Sequence, residues 1–303
     1  MQQASEPEAG AGIGRLGVWA HIDPLPAREA AKFAQQIEAW GYSALWIPEA
    51  VGRDPFSVLG YLAANTRTLR LATGIANIYA RDAMSMRATQ KALAELSDGR
   101  FVLGLGVSHE HLVSRVRGHA YEKPVATMRA YLEAMEKALY LGAQPKEDAP
   151  IVLAALRPRM LALAREKARG AHPYFVTPEH TARAREILGR GPWLCPEQMV
   201  LLERDASKAR AVARQHMLIY TTLPNYQNNL RELGFADADF AGGGSDRLVD
   251  AIVAWGDEQA IAARIKAHHD AGADHVCIQP FRPDGQQGPD LRVLEALAPG
   301  ASR

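Results

Sequence analysis

The chain predicts a single (β/α)8 TIM barrel of the α/β class, and three observations predict it. Its 303 residues suit one barrel of ordinary size, with no repeat or linker that would divide them. Short apolar runs alternate with amphipathic segments over nearly the whole length, the pattern of buried parallel strands covered by helices. The punctuation agrees with the alternation. Trp40-Gly41, Leu188-Gly189 and Ala271-Gly272 read as helix stops, whereas Asp54-Pro55 and Thr177-Pro178-Glu179 read as caps followed by a first-turn proline.

Taken in order, residues 1–14, MQQASEPEAGAGIG, are acidic and rich in small residues, without the basic and apolar regions of a signal peptide. A flexible tail is expected there, with the barrel domain over 15–303. The first strand is expected at Leu16 to Ala20, a helix at Ala27 to Trp40 and the second strand at Ala44 to Ile47. The third, Leu69 to Asn77, breaks at Gly74-Ile75-Ala76-Asn77 before Tyr79 and Arg81. A crossover helix carries Ala83, Met86, Leu93 and Leu96 at mostly helical spacing and stops at Ser97-Asp98-Gly99-Arg100, ahead of a fourth strand from Phe101 to Val107. The remaining strands are expected at Ile151 to Ala154, Gly170 to Phe175, Met199 to Glu203 and His275 to Gln279. The helices among them run Val125 to Leu141, Pro158 to Ala168, Pro178 to Leu188, Ala206 to Tyr220 and Glu258 to Ala271. Leu223 to Trp255 departs from the rhythm, and PNYQNNLRELGF and DRLVDAIVAW suggest two extra helices before the last barrel helix.

Lys and Arg total 35 against 34 Asp and Glu, with no long basic run, so a small-molecule substrate is expected as partner, and neither nucleic acid nor a membrane. Cys195 and Cys277 are the only cysteines and form no CxxC pair, which fits a reducing cytoplasm and excludes a disulfide framework. No apolar run reaches the roughly 18 residues of a membrane span.

In barrels, ligands sit outside the carboxyl ends of the strands, so the polar residues there are the candidate site. Glu49 follows the second strand, Asn77 ends the third, and Ser108, His109 and His111 follow the fourth. Gly104-Leu105-Gly106 opens like a dinucleotide fingerprint, but His109 replaces the third glycine and the motif falls at the fourth strand. The two glycines are therefore expected to allow close approach of backbone or cofactor. The HxH of His109 and His111, with His119 nearby, leaves a metal site conceivable, although metal-dependent barrels usually carry that motif after the first strand. Arg157-Pro158-Arg159 starts a helix after the fifth strand, where guanidinium groups and free N–H groups suit phosphate. His172 offers a second histidine at the mouth.

The segments GVW, GYSALWIPE, LATGIANIY, ALAELSDGRFVLGLGVSH, GAHPYFVTPEHTARAREILG and GADHVCIQ together resemble the bacterial luciferase-like superfamily, specifically its deazaflavin F420-dependent oxidoreductases. The resemblance implies a barrel whose mouth holds the tricyclic ring, commonly in a homodimer. It implies a cis, non-proline bulge matching Gly74-Ile75 behind the ring, with Ala76 and Asn77 beside it. Their places at strand ends make Ser108 and His172 expected cofactor contacts, and the resemblance implies a phosphate-side backbone matching Leu156, Arg157 and Pro158, to which Arg159 adds a cation. In the related sugar-phosphate dehydrogenases, a second-strand Asp-His pair and a glutamate after the fourth strand bind and transfer protons. The matching residues here are Glu49, Ala50 and His109, so the same sugar-phosphate oxidation is not expected. The expected reaction is hydride transfer between F420 and a small organic substrate, with His109 and Glu49 as catalytic residues and no metal. The alternatives are an FMN-dependent monooxygenase, a metal-dependent hydrolase using His109, His111 and Glu49, and a non-catalytic flavin-binding barrel.

Overall fold

Eleven parallel strands form one curled sheet in the computed structural model, which describes residues 12–300. They are β1 (Leu16–Trp19), β2 (Ala44–Ile47), β3 (Arg70–Thr73), β4 (Ala76–Asn77), β5 (Phe101–Gly106), β6 (Ile151–Leu153), β7 (Gly170–Ala171), β8 (Trp193–Leu194), β9 (Glu197–Leu202), β10 (Val253–Gly256) and β11 (Val276–Phe281). The helices are α1 (Ala27–Ala39), α2 (Pro55–Asn65), α3 (Ala83–Leu96), α4 (Pro124–Lys137), α5 (Pro158–Lys167), α6 (Pro178–Leu188), α7 (Ala206–Met217), α8 (Pro224–Glu232), α9 (Asp246–Ile252), α10 (Glu258–Asp270) and α11 (Leu291–Ala296).

All eight expected strands are present, and three further strands have local causes. The break after Thr73 detaches β4, which pairs with β5 through Ala76 and Asn77. Cys195-Pro196 interrupts a strand that begins six residues earlier than expected and so yields both β8 and β9; Pro196 has no N–H to give the ladder. Inside DRLVDAIVAW only Asp246–Ile252 is helical, and Val253 to Gly256 pair with Met199 to Leu202. The sixth strand stops at Ala171 instead of Phe175, because Pro173 cannot donate and Phe175 has a φ of 59°. Helix α4 ends at Lys137, where Ala138 turns extended, and α7 ends at Met217. Of the expected tail, residues 1–11 lie outside the described residues, but Ile13 is buried and the Gly14 carbonyl accepts a hydrogen bond from His275 Nδ1.

The sheet order is β10-β9-β11-β1-β2-β3-β5-β6-β7-β8, so its ends are β10 and β8, and two residues join β8 to β9, the neighbour of β10. Backbone bonds knit that joint: Cys195 N donates to Ala171 O at 2.9 Å and Cys277 N to Pro196 O at 3.0 Å. Alternation along each strand then sorts the side chains. Val18, Leu45, Leu71, Leu103 and Ile278 face outward and pack under the helices, whereas Trp19, Trp46, Ala72, Val102, Val152, Cys195 and Cys277 fill the lumen. Full burial of one such large side chain is worth about 1.5–3 kcal/mol. Asp54 and Asp82 cap α2 and α3 by accepting the N–H groups of Ser57 and Ser85, which fixes where the helices after the site loops begin.

Candidate functional site

The carboxyl end of β3 is a bulge held by hydrogen bonds to the ends of β1 and β2. The Gly74-Ile75 peptide is cis, as the resemblance implies. Gly74 N donates to Ile47 O at 2.7 Å, its carbonyl accepts Trp19 Nε1 at 2.8 Å, and Glu49 N donates to Ile75 O at 3.2 Å. The glycines of β5 allow close approach as expected, to backbone and to a side chain. A Cβ on Gly106 would lie 2.5 Å from Ile75 Cδ1, and one on Gly104 would lie 1.9 Å from Thr73 O, so the pair seats the bulge rather than a ligand.

Glu49 braces this bulge. Its Oε2 accepts Asn77 N at 2.8 Å and its Oε1 accepts Arg81 Nη1 at 2.6 Å, with its side chain 7% exposed. Both oxygens are committed to these partners. Arg81 also pairs with Asp54 and stacks over Phe56. Asn77 is fully buried; its Oδ1 accepts Tyr79 N at 2.9 Å, and its Nδ2 has no partner. Ala76 is buried and enters only through its backbone pairing with Leu105.

After β5 the chain turns at Ser108, whose φ is 58° and whose carbonyl accepts the Tyr121 hydroxyl at 3.3 Å. This turn separates the two histidines of the HxH. His109 tucks under α8 with its ring 5.5 Å from Tyr226, and its Nδ1 is buried without a partner. Burial lowers its pKa below the usual imidazole value, and the Asn225 side chain opposes this, so the ring is mostly neutral at pH 7. His111 and His119 are exposed. Among the described residues, no three His, Cys, Asp or Glu gather as a metal-binding group.

His172 does not lie at the mouth. It alternates into the lumen, stacked on Trp46 at 4.6 Å with Nδ1 donating to Cys195 O at 2.7 Å. A Cβ on Gly74 would lie 3.2 Å from its Nε2, which has no partner, so His172 underlies the bulge. Burial pulls its pKa down to about 4, and the ring is neutral. The basic turn is also engaged. Arg157 pairs with Glu232 of α8 at 2.8 Å, Leu156 O accepts His180 Nε2 at 2.6 Å, Pro158 opens α5, and Arg159 is exposed.

Sequence reasoning missed an aromatic group that covers the mouth. Tyr174 lies 5.3 Å from Trp19 and 5.2 Å from Tyr220, and Tyr226 lies 5.3 Å from Phe175. The Tyr174 and Tyr220 hydroxyls are 3.0 Å apart, and Tyr174 also bonds Gln279 Oε1 at 2.8 Å. The signal available was the departure from the barrel rhythm at Leu223 to Trp255. It located the insertion, whereas the docking of Tyr226 on His109 depends on tertiary packing.

The luciferase-like monooxygenase family model matches residues 7–275. The 5,10-methylenetetrahydromethanopterin reductase of Methanolobus tindarius is 30% identical over 216 residues, covering 62% of this chain and 66% of the relative. A putative coenzyme F420-dependent oxidoreductase of Mycobacterium tuberculosis is 28% identical over 215 residues, or 61% of each chain. The chain thus spans about two thirds or less of the length of these curated relatives. Among solved structures, the coenzyme F420-dependent tetrahydromethanopterin reductase of Methanopyrus kandleri superposes with a TM-score of 0.70 at 18% identity, covering 94% of this chain and 97% of that one. An FMN complex of a type II Baeyer-Villiger monooxygenase of Pseudomonas putida gives 0.66 at 15% identity, covering 94% and 97%. With a family model matched over residues 7–275, the chain belongs to the luciferase-like monooxygenase family.

Proposed function

We propose that this protein is an F420-dependent oxidoreductase that transfers a hydride between the deazaflavin and a small organic substrate. The observation that carries the reading is the pair of buried, unpartnered polar atoms, Asn77 Nδ2 and His109 Nδ1, on neighbouring strand ends beside the Ile75 bulge. Such atoms cost free energy unless a ligand satisfies them, and a heteroaromatic ring with carbonyl and N–H edges does so. Bound there, the deazaflavin would supply a hydride at its C5 carbon. Neutral His109 exchanges the accompanying proton, and Glu49 holds Asn77 and Arg81 in place. Arg159 and the start of α5 meet the charged tail, with Arg157 joining once it leaves Glu232. A cytoplasmic homodimer, each subunit a (β/α)8 barrel, belongs to the same reading.

FMN is the second candidate, favoured by the FMN-complexed monooxygenase of the same fold. Side-by-side fluorescence titration with F420 and FMN separates the two. Tighter binding of F420 is expected, and binding of FMN alone overturns the proposal.

A further inference from the structure

Glu197 opens β9 on the lumen side, since alternation from Cys195 turns both inward. The carboxyl group is buried, with 1% of the residue exposed. Its Oε2 accepts Phe175 N at 3.3 Å, an N–H aimed there by the left-handed turn at Phe175, and its Oε1 has no partner. No Lys, Arg or His forms an ion pair with it among the described residues. The groups electrostatically coupled to it are Tyr174, Tyr220, Tyr226 and Cys277, all neutral. A carboxylate in such surroundings pays the full cost of desolvation with one weak hydrogen bond in return, so the neutral acid is the stable form.

The register sets its level relative to the hydroxyls nearer the mouth. Glu197 is level with Cys277, whereas Gln279, which holds the Tyr174 hydroxyl, is level with Met199. The Tyr174–Tyr220 hydroxyl pair therefore sits one inward-facing layer nearer the mouth than Glu197. We propose that Glu197 is the proton reserve of the site, a neutral acid that resupplies this hydroxyl pair when a substrate heteroatom takes up a proton. The inference rests on the oxidoreductase reading and deepens it. The substrate class that fits is a neutral molecule with a carbonyl or imine at the reducible carbon.

In the reducing direction, a hydride from the reduced deazaflavin forms the new C–H bond, and the electron pair of the C=O or C=N bond moves to its heteroatom. That atom takes the Tyr174 proton, Tyr174 regains one from Glu197, and the carboxylate left behind is reprotonated from solvent, while the proton that the ring sheds with its hydride goes to neutral His109. Glu197 acts through Tyr174 and is a positioning residue. Burial supports the assignment by pushing its pKa up to about 8, opposed by the Phe175 N–H.

The first test needs no turnover. Infrared titration of the parent protein is expected to show a protonated carboxylic C=O stretch at pH 7 that is lost as the pH rises through about 8 and is absent from Glu197→Gln. A parent carboxyl already ionised at pH 6 overturns the proposal. The second test follows reduction of a simple ketone, cyclohexanone, by reduced F420 against pH. The parent rate is expected to fall above pH 8, Glu197→Gln to be slower by about tenfold or more with that limb flattened at unchanged F420 affinity, and Glu197→Asp to restore the limb. A parental rate and profile in Glu197→Gln overturns the reserve. If the parent protein binds no F420, the oxidoreductase reading fails instead, and the infrared titration judges the neutral acid by itself.

Discussion

At His109 the geometry and the charge state point the same way. A half-buried imidazole with a free Nδ1, held neutral by desolvation, is a base at pH 7 and an acid once Nδ1 is protonated. Replacing it with alanine is expected to lower F420-linked turnover by roughly 100-fold while leaving F420 affinity nearly intact. The exposed His111→Ala serves as control and should change turnover little; equal losses in both variants would remove His109 from the chemistry. Because its folded pKa lies below the ordinary value, the neutral form persists into mildly acid solution, and a base-dependent rate should decline only below that ordinary value. Glu49 behaves differently although it lies nearby. With both oxygens bonded to Asn77 N and Arg81, Glu49→Gln leaves a partly buried guanidinium short of its partner, and a stability loss of about 1–3 kcal/mol in urea titration is expected. Its place at a strand end was legible in the sequence, but its commitment to Arg81 was not, since that pairing spans 32 residues.

Among the elements, β5 and the bulge after β3 form one packed unit. The Ile75 side chain needs the missing Cβ of Gly106, whose absence also spares a 3.1 Å contact with Ala154. Gly106→Ala is expected to destabilise by about 1–3 kcal/mol through overpacking and to weaken F420 binding. Ile75→Ala added to it should recover part of that loss, giving a coupling energy of about 0.5–3 kcal/mol in a double-mutant cycle. Strict additivity would show that the two residues do not press on each other. Helix α8 forms a second unit with the start of α5, joined by Arg157 and Glu232. Glu232→Gln frees Arg157 and is expected to tighten F420 binding, more at low salt than at high, whereas Arg157→Ala with Arg159→Ala should weaken it with the same salt dependence. Affinities that ignore both changes would make this turn a solvated face. The barrel elements were readable because buried strands and amphipathic helices differ in period. Strands β4, β8 and β10 were not, because two to four residues carry no period, and a proline or a bulge decides them.

Across the whole molecule, buried histidines set the response to acid. His172, His268 and His275 are buried neutral, with pKa values lowered to about 4, about 3 and about 3. The unfolded chain protonates each near the ordinary 6.5 and the folded one does not, so their stabilisation is present above that value and is lost as pH falls below it. Glu197 has the opposite sign: its folded pKa is raised, so stability is lost as pH rises from the ordinary carboxyl value toward about 8. Between pH 5 and 6 three histidines outweigh one carboxyl, and unfolding free energy should drop by about 2–3 kcal/mol per pH unit of acidification. A flat thermal-unfolding profile over that range would contradict the burial of these rings. Strand β11 carries one more consequence. It alone lies between β1 and β9, so β1 waits some 260 residues of synthesis for its second neighbour. Until Val276 to Phe281 leave the ribosome, the nascent sheet has two open edges, rows of N–H and C=O groups ready to pair with another chain. The last strand is thus the keystone that joins the two parts of a sticky intermediate into one sheet, and truncation before Val276 should yield aggregate on the ribosome or after release rather than a smaller folded protein.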